Sequence, residues 1–267
     1  MFYKVLFPLN FKETDARIAE LLDSLRNFGT THVVFLHVSG FGAGASGKAE
    51  RRLREVADNA SERGFETRVL LRNGSAASEI VQVCEQEQLD FICFSWKRKS
   101  WIQRSVLGST TRDVIRLSDH PVFVKKHMKP SPDERGMTVV YGTDFQATDA
   151  DISPYLRFSG LTAQKLWLVH VGRRAPDPEA ERKRLQGVES NLSRLSKEFS
   201  DNYEEIDDVA VVGNPKREIV RQARRVGADL IVLGKSDRAS TFAAVTGSIA
   251  EEVPYSARCS VLLVPRR

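Results

Sequence analysis

The chain repeats itself, and that constrains its fold more than any other feature. PLNFKETDARI (8–18) aligns with GTDFQATDADI (142–152), sharing Phe, Thr-Asp-Ala and Ile at a constant offset. LHV (36–38) matches VHV (169–171), and NGSAASEIVQVCEQEQLDFICF (73–94) matches VGNPKREIVRQARRVGADLIVL (212–233). VLGSTTRDV (106–114) then matches VTGSIAEEV (245–253), and PVFV (121–124) falls opposite SVLL (260–263). Matches that stay in order along 267 residues mean a duplicated domain, so one architecture must be satisfied twice. The seam is KPSPDERG (129–136), polar and turn-rich. Residues 1–128 and 137–267 are therefore expected to form two domains joined by a linker over 129–136.

Each half alternates short apolar, β-branched runs with helical stretches. The expected strands of the first half are Tyr3–Phe7, Thr31–Val38, Thr67–Leu71, Asp90–Phe94 and Pro121–Lys125. Those of the second are Thr138–Tyr141, Gln164–Val171, Asp208–Val212, Asp229–Leu233 and Ser260–Pro265. Runs of this length separated by helical periods predict a parallel sheet covered on both faces. The fold class is α/β, two tandem doubly wound domains of five strands each. In such sheets ligands bind beyond the carboxyl ends of the strands, where strand order reverses. The short apolar last strands would need covering at their edges, which predicts an intramolecular pseudo-dimer of the two halves and allows a homodimer.

Read at those strand ends, the chain resembles the universal stress protein superfamily. The resemblance rests on strand-Pro-x-Asp, HV after the second strand, and G-x2-G-x9-G-[ST] after the fourth. It covers nearly the whole chain, twice. It implies a Rossmann-like fold of the adenine nucleotide alpha hydrolase type, a stress-response role and, in one branch, ATP binding. There the Asp addresses the adenosine end and the glycines admit the phosphates. The closing Gly-Ser/Thr offers N–H groups at a helix start, where the dipole favours an anion.

Carried over by position, the second half supplies Gly142, Thr143, Asp144, Val171, Gly234, Lys235, Gly247, Ser248 and Ile249. Its departure is Asp237, where the pattern has a glycine; a carboxylate there repels a triphosphate unless Mg²⁺ or Lys235 intervenes. In the first half Pro8, Val38, Gly108, Ser109 and Thr110 remain, but Asn10 replaces the Asp. Ser95 and Arg98 stand on the two glycine positions. That half is expected to be degenerate, with Gly108-Ser109 either a small anion niche or an ordinary Ser/Thr helix cap.

The loop WKRKSW (96–101) permits a third reading, a grip on an acidic small molecule or lipid headgroup. Its plainer alternative is a packed loop with solvated cations. GAGASG (42–47) fits a dinucleotide motif but follows the second strand, with no ribose-binding acid after it, and is expected to be a flexible loop. GKS (234–236) lacks the upstream glycine of a P-loop; Asp229 stands there, inside the expected strand. His37 and His170 recur at matching positions without companion ligands, so no metal is expected and a structural or ligand-lining role is. Nothing specifies a catalytic nucleophile or base. Three scattered cysteines point to buried thiols and a reducing, cytoplasmic location. A net charge of +5 spread over mixed-charge helices points away from nucleic acid, and no run is long enough for a membrane span.

These observations lead to a stress-response binding module with a regulatory protein partner, hydrolysing ATP slowly if at all. A regulatory or scaffold protein without a nucleotide, and a carrier or enzyme using the WKRKSW loop, stay open beside it.

Overall fold

A computed structural model describes residues 2–41, 47–96, 108–126, 136–146, 148–157, 163–235 and 249–266. The chain divides into two compact units, Met1–Lys125 and Lys126–Arg267. The first runs β1 (Lys4–Pro8), α1 (Asp15–Asn27), β2 (His32–Ser39), α2 (Gly47–Glu62), β3 (Glu66–Asn73). It continues through α3 (Ala76–Gln86), β4 (Phe91–Ser95), α4 (Ser109–Leu117) and β5 (Val122–Lys125). Its strands pair in the order β3-β2-β1-β4-β5, every pair parallel. Crossovers run one way from β1 to β3 and the other way from β3 to β5. Right-handed connections therefore place α1 and α2 on one face and α3 and α4 on the other.

The second unit repeats the scheme with β6 (Met137–Thr143), α5 (Thr148–Leu156), β7 (Ala163–Gly172), α6 (Pro178–Phe199) and β8 (Glu205–Val212). It ends with α7 (Pro215–Arg225), β9 (Leu230–Lys235), α8 (Ile249–Ser256) and β10 (Ser260–Pro265). Its order is β10-β9-β6-β7-β8, again parallel.

The sequence explains these elements. Leu6, Phe7, Phe35, Leu36, Phe91 and Ile92 are fully buried, as central strands covered on both faces require. The charged helix α2 buries only Leu53, Val56, Ala57 and Ala60, one stripe at helical spacing. In α6, Asp177 caps the first turn by accepting from Glu179 N and Ala180 N, with Pro178 just inside the helix. Val188, Leu192, Leu195 and Phe199 form its buried stripe.

Two expectations need correction. β8 begins at Glu205, earlier than its apolar run, because it pairs along β7 and Lys165 reaches both Glu205 and Asp207. Asp229 precedes β9 instead of lying within it, and its carboxylate accepts from Thr138 N at 2.9 Å. The first unit has the same device: Asp90 accepts from Tyr3 N at 2.8 Å and Lys4 N at 3.0 Å. The three cysteines are buried; desolvation pushes the Cys84 thiol up to about 12 and Cys259 up to about 11. Among the described residues no helix is long and apolar enough to cross a membrane.

Candidate functional site

At the strand ends of the first unit lies a cavity of about 310 Å³. It gathers Pro8 and Asn10 from the end of β1, Val38 from β2 and Ser95 from β4. Gly108, Ser109 and Thr110 close it from the start of α4. Every described candidate residue of this half thus meets at the point where strand order reverses; Arg98 lies outside the described residues. α4 opens on Gly108 as N-cap with no side-chain cap bond, so Ser109 is the first helical residue and not the cap. Its first N–H groups are left for another acceptor.

In the second unit Gly142, Thr143 and Asp144 stand at the end of β6, Val171 near the end of β7, and Gly234 and Lys235 at the end of β9. Ile249 opens α8. Asp237, Gly247 and Ser248 lie outside the described residues, as do the rest of WKRKSW beyond Trp96 and the first five residues of GAGASG. Trp96 itself is buried, and its N–H donates to Lys125 O at 2.8 Å. Gly142 has a packing reason of its own. A Cβ there would sit 2.6 Å from Leu233 Cδ2 and 3.1 Å from Ile219 Cδ1.

Both units build the loop after the first strand in one unusual way. Phe11 and Phe145 hold φ of 60° and 59°, the left-handed region that a bulky side chain rarely enters. Each ring packs on the recurring histidine: Phe11 on His37 with centroids 4.3 Å apart, Phe145 on His170 at 4.4 Å. Each histidine places Nδ1 on a carbonyl just before the loop, His37 on Leu9 O at 2.8 Å and His170 on Thr143 O at 3.0 Å. A carbonyl only accepts, so Nδ1 carries the proton. Asn10 and Asp144 then turn their Oδ1 to the N–H two residues on, Lys12 at 2.9 Å and Gln146 at 3.2 Å. The shared Phe and His were visible as matching letters; that they fix this turn was not.

The second unit adds a polar brace. Wholly buried Tyr141 donates to Asp149 Oδ1 at 2.5 Å, and Thr143 donates to Asp149 Oδ2 at 2.7 Å. Thr143 Oγ1 also accepts from Phe145 N at 3.0 Å, tying the turn to the same carboxylate. Burial raises the Asp149 carboxyl above its ordinary value, and the two donors pull it partly back. Burial likewise raises the Tyr141 phenol, with the Asp149 charge adding to it. The first unit has Phe7 and Leu9 at these positions, and its Asp15 pairs with Arg52 instead. Asp144, the exposed carboxylate of the turn, is thus held more firmly than Asn10. Among the described residues no cluster suited to a metal ion occurs.

The profile of the universal stress protein family matches residues 1–126 and 161–265. Universal stress protein MJ0577 of Methanocaldococcus jannaschii is 26% identical over 155 residues, covering 47% of this chain and 96% of that protein. A solved universal stress protein from Archaeoglobus fulgidus superposes with a TM-score of 0.77 at 22% identity, covering all of this chain and 98% of that one. A solved universal stress protein assignment from Pseudomonas aeruginosa gives 0.73 at 18% identity, covering 98% of this chain and 92% of that one. At these identities the two structures establish the shared fold.

Proposed function

We propose, from the premise that this chain belongs to the universal stress protein family, that its second unit binds an adenine nucleotide and acts as a regulatory module. The observation that carries this reading is Asp144. It stands exposed at the switch point of the sheet, on a turn fixed by the Phe145–His170 stack and the Asp149 brace. Its Oδ2 has no partner among the described residues, so it is ready to accept from ligand hydroxyl or amino groups without reorganising. Gly234 leaves the end of β9 without a side chain, and the N-terminus of α8 would face the phosphates with the favourable sign of its dipole. Gly247 and Ser248 would supply the N–H groups of that contact, and Mg²⁺ would reconcile Asp237 with the phosphate charge.

The reading is of a binding module in the cytoplasm whose nucleotide state a protein partner reads. Asp149, the half-buried carboxylate nearby, is occupied by two donors, so it is not offered as a base toward water. Calorimetry with ATP and Mg²⁺ tests the assignment. Asp144→Ala should remove a charge-assisted hydrogen bond worth about 1.5–3 kcal/mol, roughly tenfold or more in affinity. Asn10→Ala should leave affinity unchanged. The reverse pattern would move the ligand to the cavity of the first unit, and no binding at all would favour the nucleotide-free regulatory reading.

A further inference from the structure

The cavity of about 310 Å³ at the strand ends of the first unit sets two helix starts against one acid. α3 reaches its wall with Ala76, and α4 with Gly108, Ser109 and Thr110. Neither N-cap, Ser75 or Gly108, makes a side-chain cap bond. The duplicate helix α7 does, with Asn214 accepting from Lys216 N at 3.0 Å. The first N–H groups of α3 and α4 have no partners within their own helices, and both dipoles present positive charge to the cavity. Helix starts alone would suit any anion.

Glu13 narrows the class. It lines the same cavity from the loop between β1 and α1. Its Oε2 is shut off from solvent and accepts no hydrogen bond, and no cation pairs with the carboxylate among the described residues. A buried oxygen in that state is costly to leave without a donor. No described side chain supplies one, so the donor must come from what the cavity holds. The acid belongs to this half alone: the matching position of the second half is Ala147, while Asn10 stands opposite Asp144. Lys12 lines the cavity as well, so Lys12 and Glu13 together leave it without net charge. Leu36, Ile80 and Phe94 supply its apolar surface.

We infer that this cavity binds a free α-amino acid with an aliphatic side chain. The ligand carboxylate takes the N–H groups that open α4, its ammonium meets Glu13, and its side chain lies against Leu36, Ile80 and Phe94. A zwitterion answers both demands at once, with charge-assisted bonds at each end. A polyphosphate would satisfy the helix starts but be repelled by Glu13. The site lies in the first unit and stands or falls apart from the nucleotide reading of the second.

L-Leucine, titrated by calorimetry into the full chain, is the probe. 4-Methylpentanoate lacks only its ammonium and 3-methylbutylamine only its carboxylate, and each should bind at least tenfold more weakly. Glu13→Gln should weaken leucine at least tenfold and leave 4-methylpentanoate unchanged, a difference that a loosened loop would not produce. Gly108→Asp puts a carboxylate on the start of α4, where a Cβ would meet only Thr111 Oγ1, at 3.9 Å. It should leave the melting temperature no lower, since Asp is a good cap, while weakening leucine and 4-methylpentanoate alike. Unchanged leucine affinity in either variant would overturn the proposal. So would 4-methylpentanoate binding as tightly as leucine, displacement of leucine by AMP, or no saturable leucine binding.

Discussion

Tyr141→Phe isolates the brace behind Asp144. The hydroxyl lost is wholly buried and lies 2.5 Å from Asp149 Oδ1, the short range of a charge-assisted O–H···O⁻ bond. Such bonds contribute about 1.5–3 kcal/mol, against about 0.5–1.5 for a neutral pair. Phe leaves no sizeable cavity, and Phe7 already occupies the equivalent strand position of the first unit. Nearly all of the loss should therefore be the hydrogen bond, about 2 kcal/mol at pH 7. The pH dependence has a definite sign. The donor favours the ionised carboxylate, so its contribution is full when Asp149 is charged and shrinks as pH falls through the raised folded pKa. Asp149 as a whole behaves oppositely: burial raises its pKa above 3.8, so its ionisation costs stability as pH rises above that value. Hydrogen exchange of the β6 amides, followed in increasing urea, reads the local free energy without assuming that the two units unfold together. The loss should be roughly halved at pH 3.5 relative to pH 7, and reduced to about 0.5–1.5 kcal/mol in an Asp149→Asn background, where the amide oxygen accepts only a neutral bond. A loss below about 0.5 kcal/mol at pH 7, or one equal in both backgrounds, would refute the charge-assisted bond.

Other outcomes are expected from the same geometry. Gly142→Ala should destabilise β6 by about 1–3 kcal/mol through overpacking on Leu233 and Ile219, measured by urea denaturation. Buried Lys126 donates to Ala257 O at 2.6 Å, and desolvation lowers its pKa from 10.5 to about 8. The unfolded chain thus holds this proton more tightly, so wild-type stability relative to Lys126→Met should rise between pH 8 and 10.5 and be flat below pH 8. A carboxylate about 4 Å from a phosphate oxygen, at an effective dielectric near 20, costs about 4 kcal/mol. On the proposed nucleotide reading, with Asp237 standing in the phosphate loop, ATP binding should therefore need Mg²⁺ and fail in EDTA, while Asp237→Gly gains metal-free affinity by calorimetry. Residues 1–128 expressed alone should self-associate in ultracentrifugation, because β5 ends the strand order of its unit on an apolar edge.

The duplication, the parallel α/β class and the positions of the strand ends were all legible in the letters. A parallel strand buried on both faces must be an apolar run, and a run that occurs twice is hard to mistake. Pro8, Asn10, Val38, Ser95, Gly108, Ser109 and Thr110 could be singled out together through the family resemblance, whose motif sits at the strand ends and at the start of the helix after the fourth strand. The extra length of β8 was hidden, since its first residues are charged and owe their place to pairing with β7. The left-handed turns at Phe11 and Phe145 were hidden for a related reason. Nothing in a phenylalanine announces φ near 60°; the conformation is held by a histidine 26 or 25 positions further on, reached only once the first two strands of each unit lie side by side. The Tyr141–Asp149–Thr143 brace likewise needs β6 and α5 folded against each other before its donors converge. Periodicity records which face of an element is buried, whereas these contacts depend on which other element buries it, and that is decided only when the sheet is assembled.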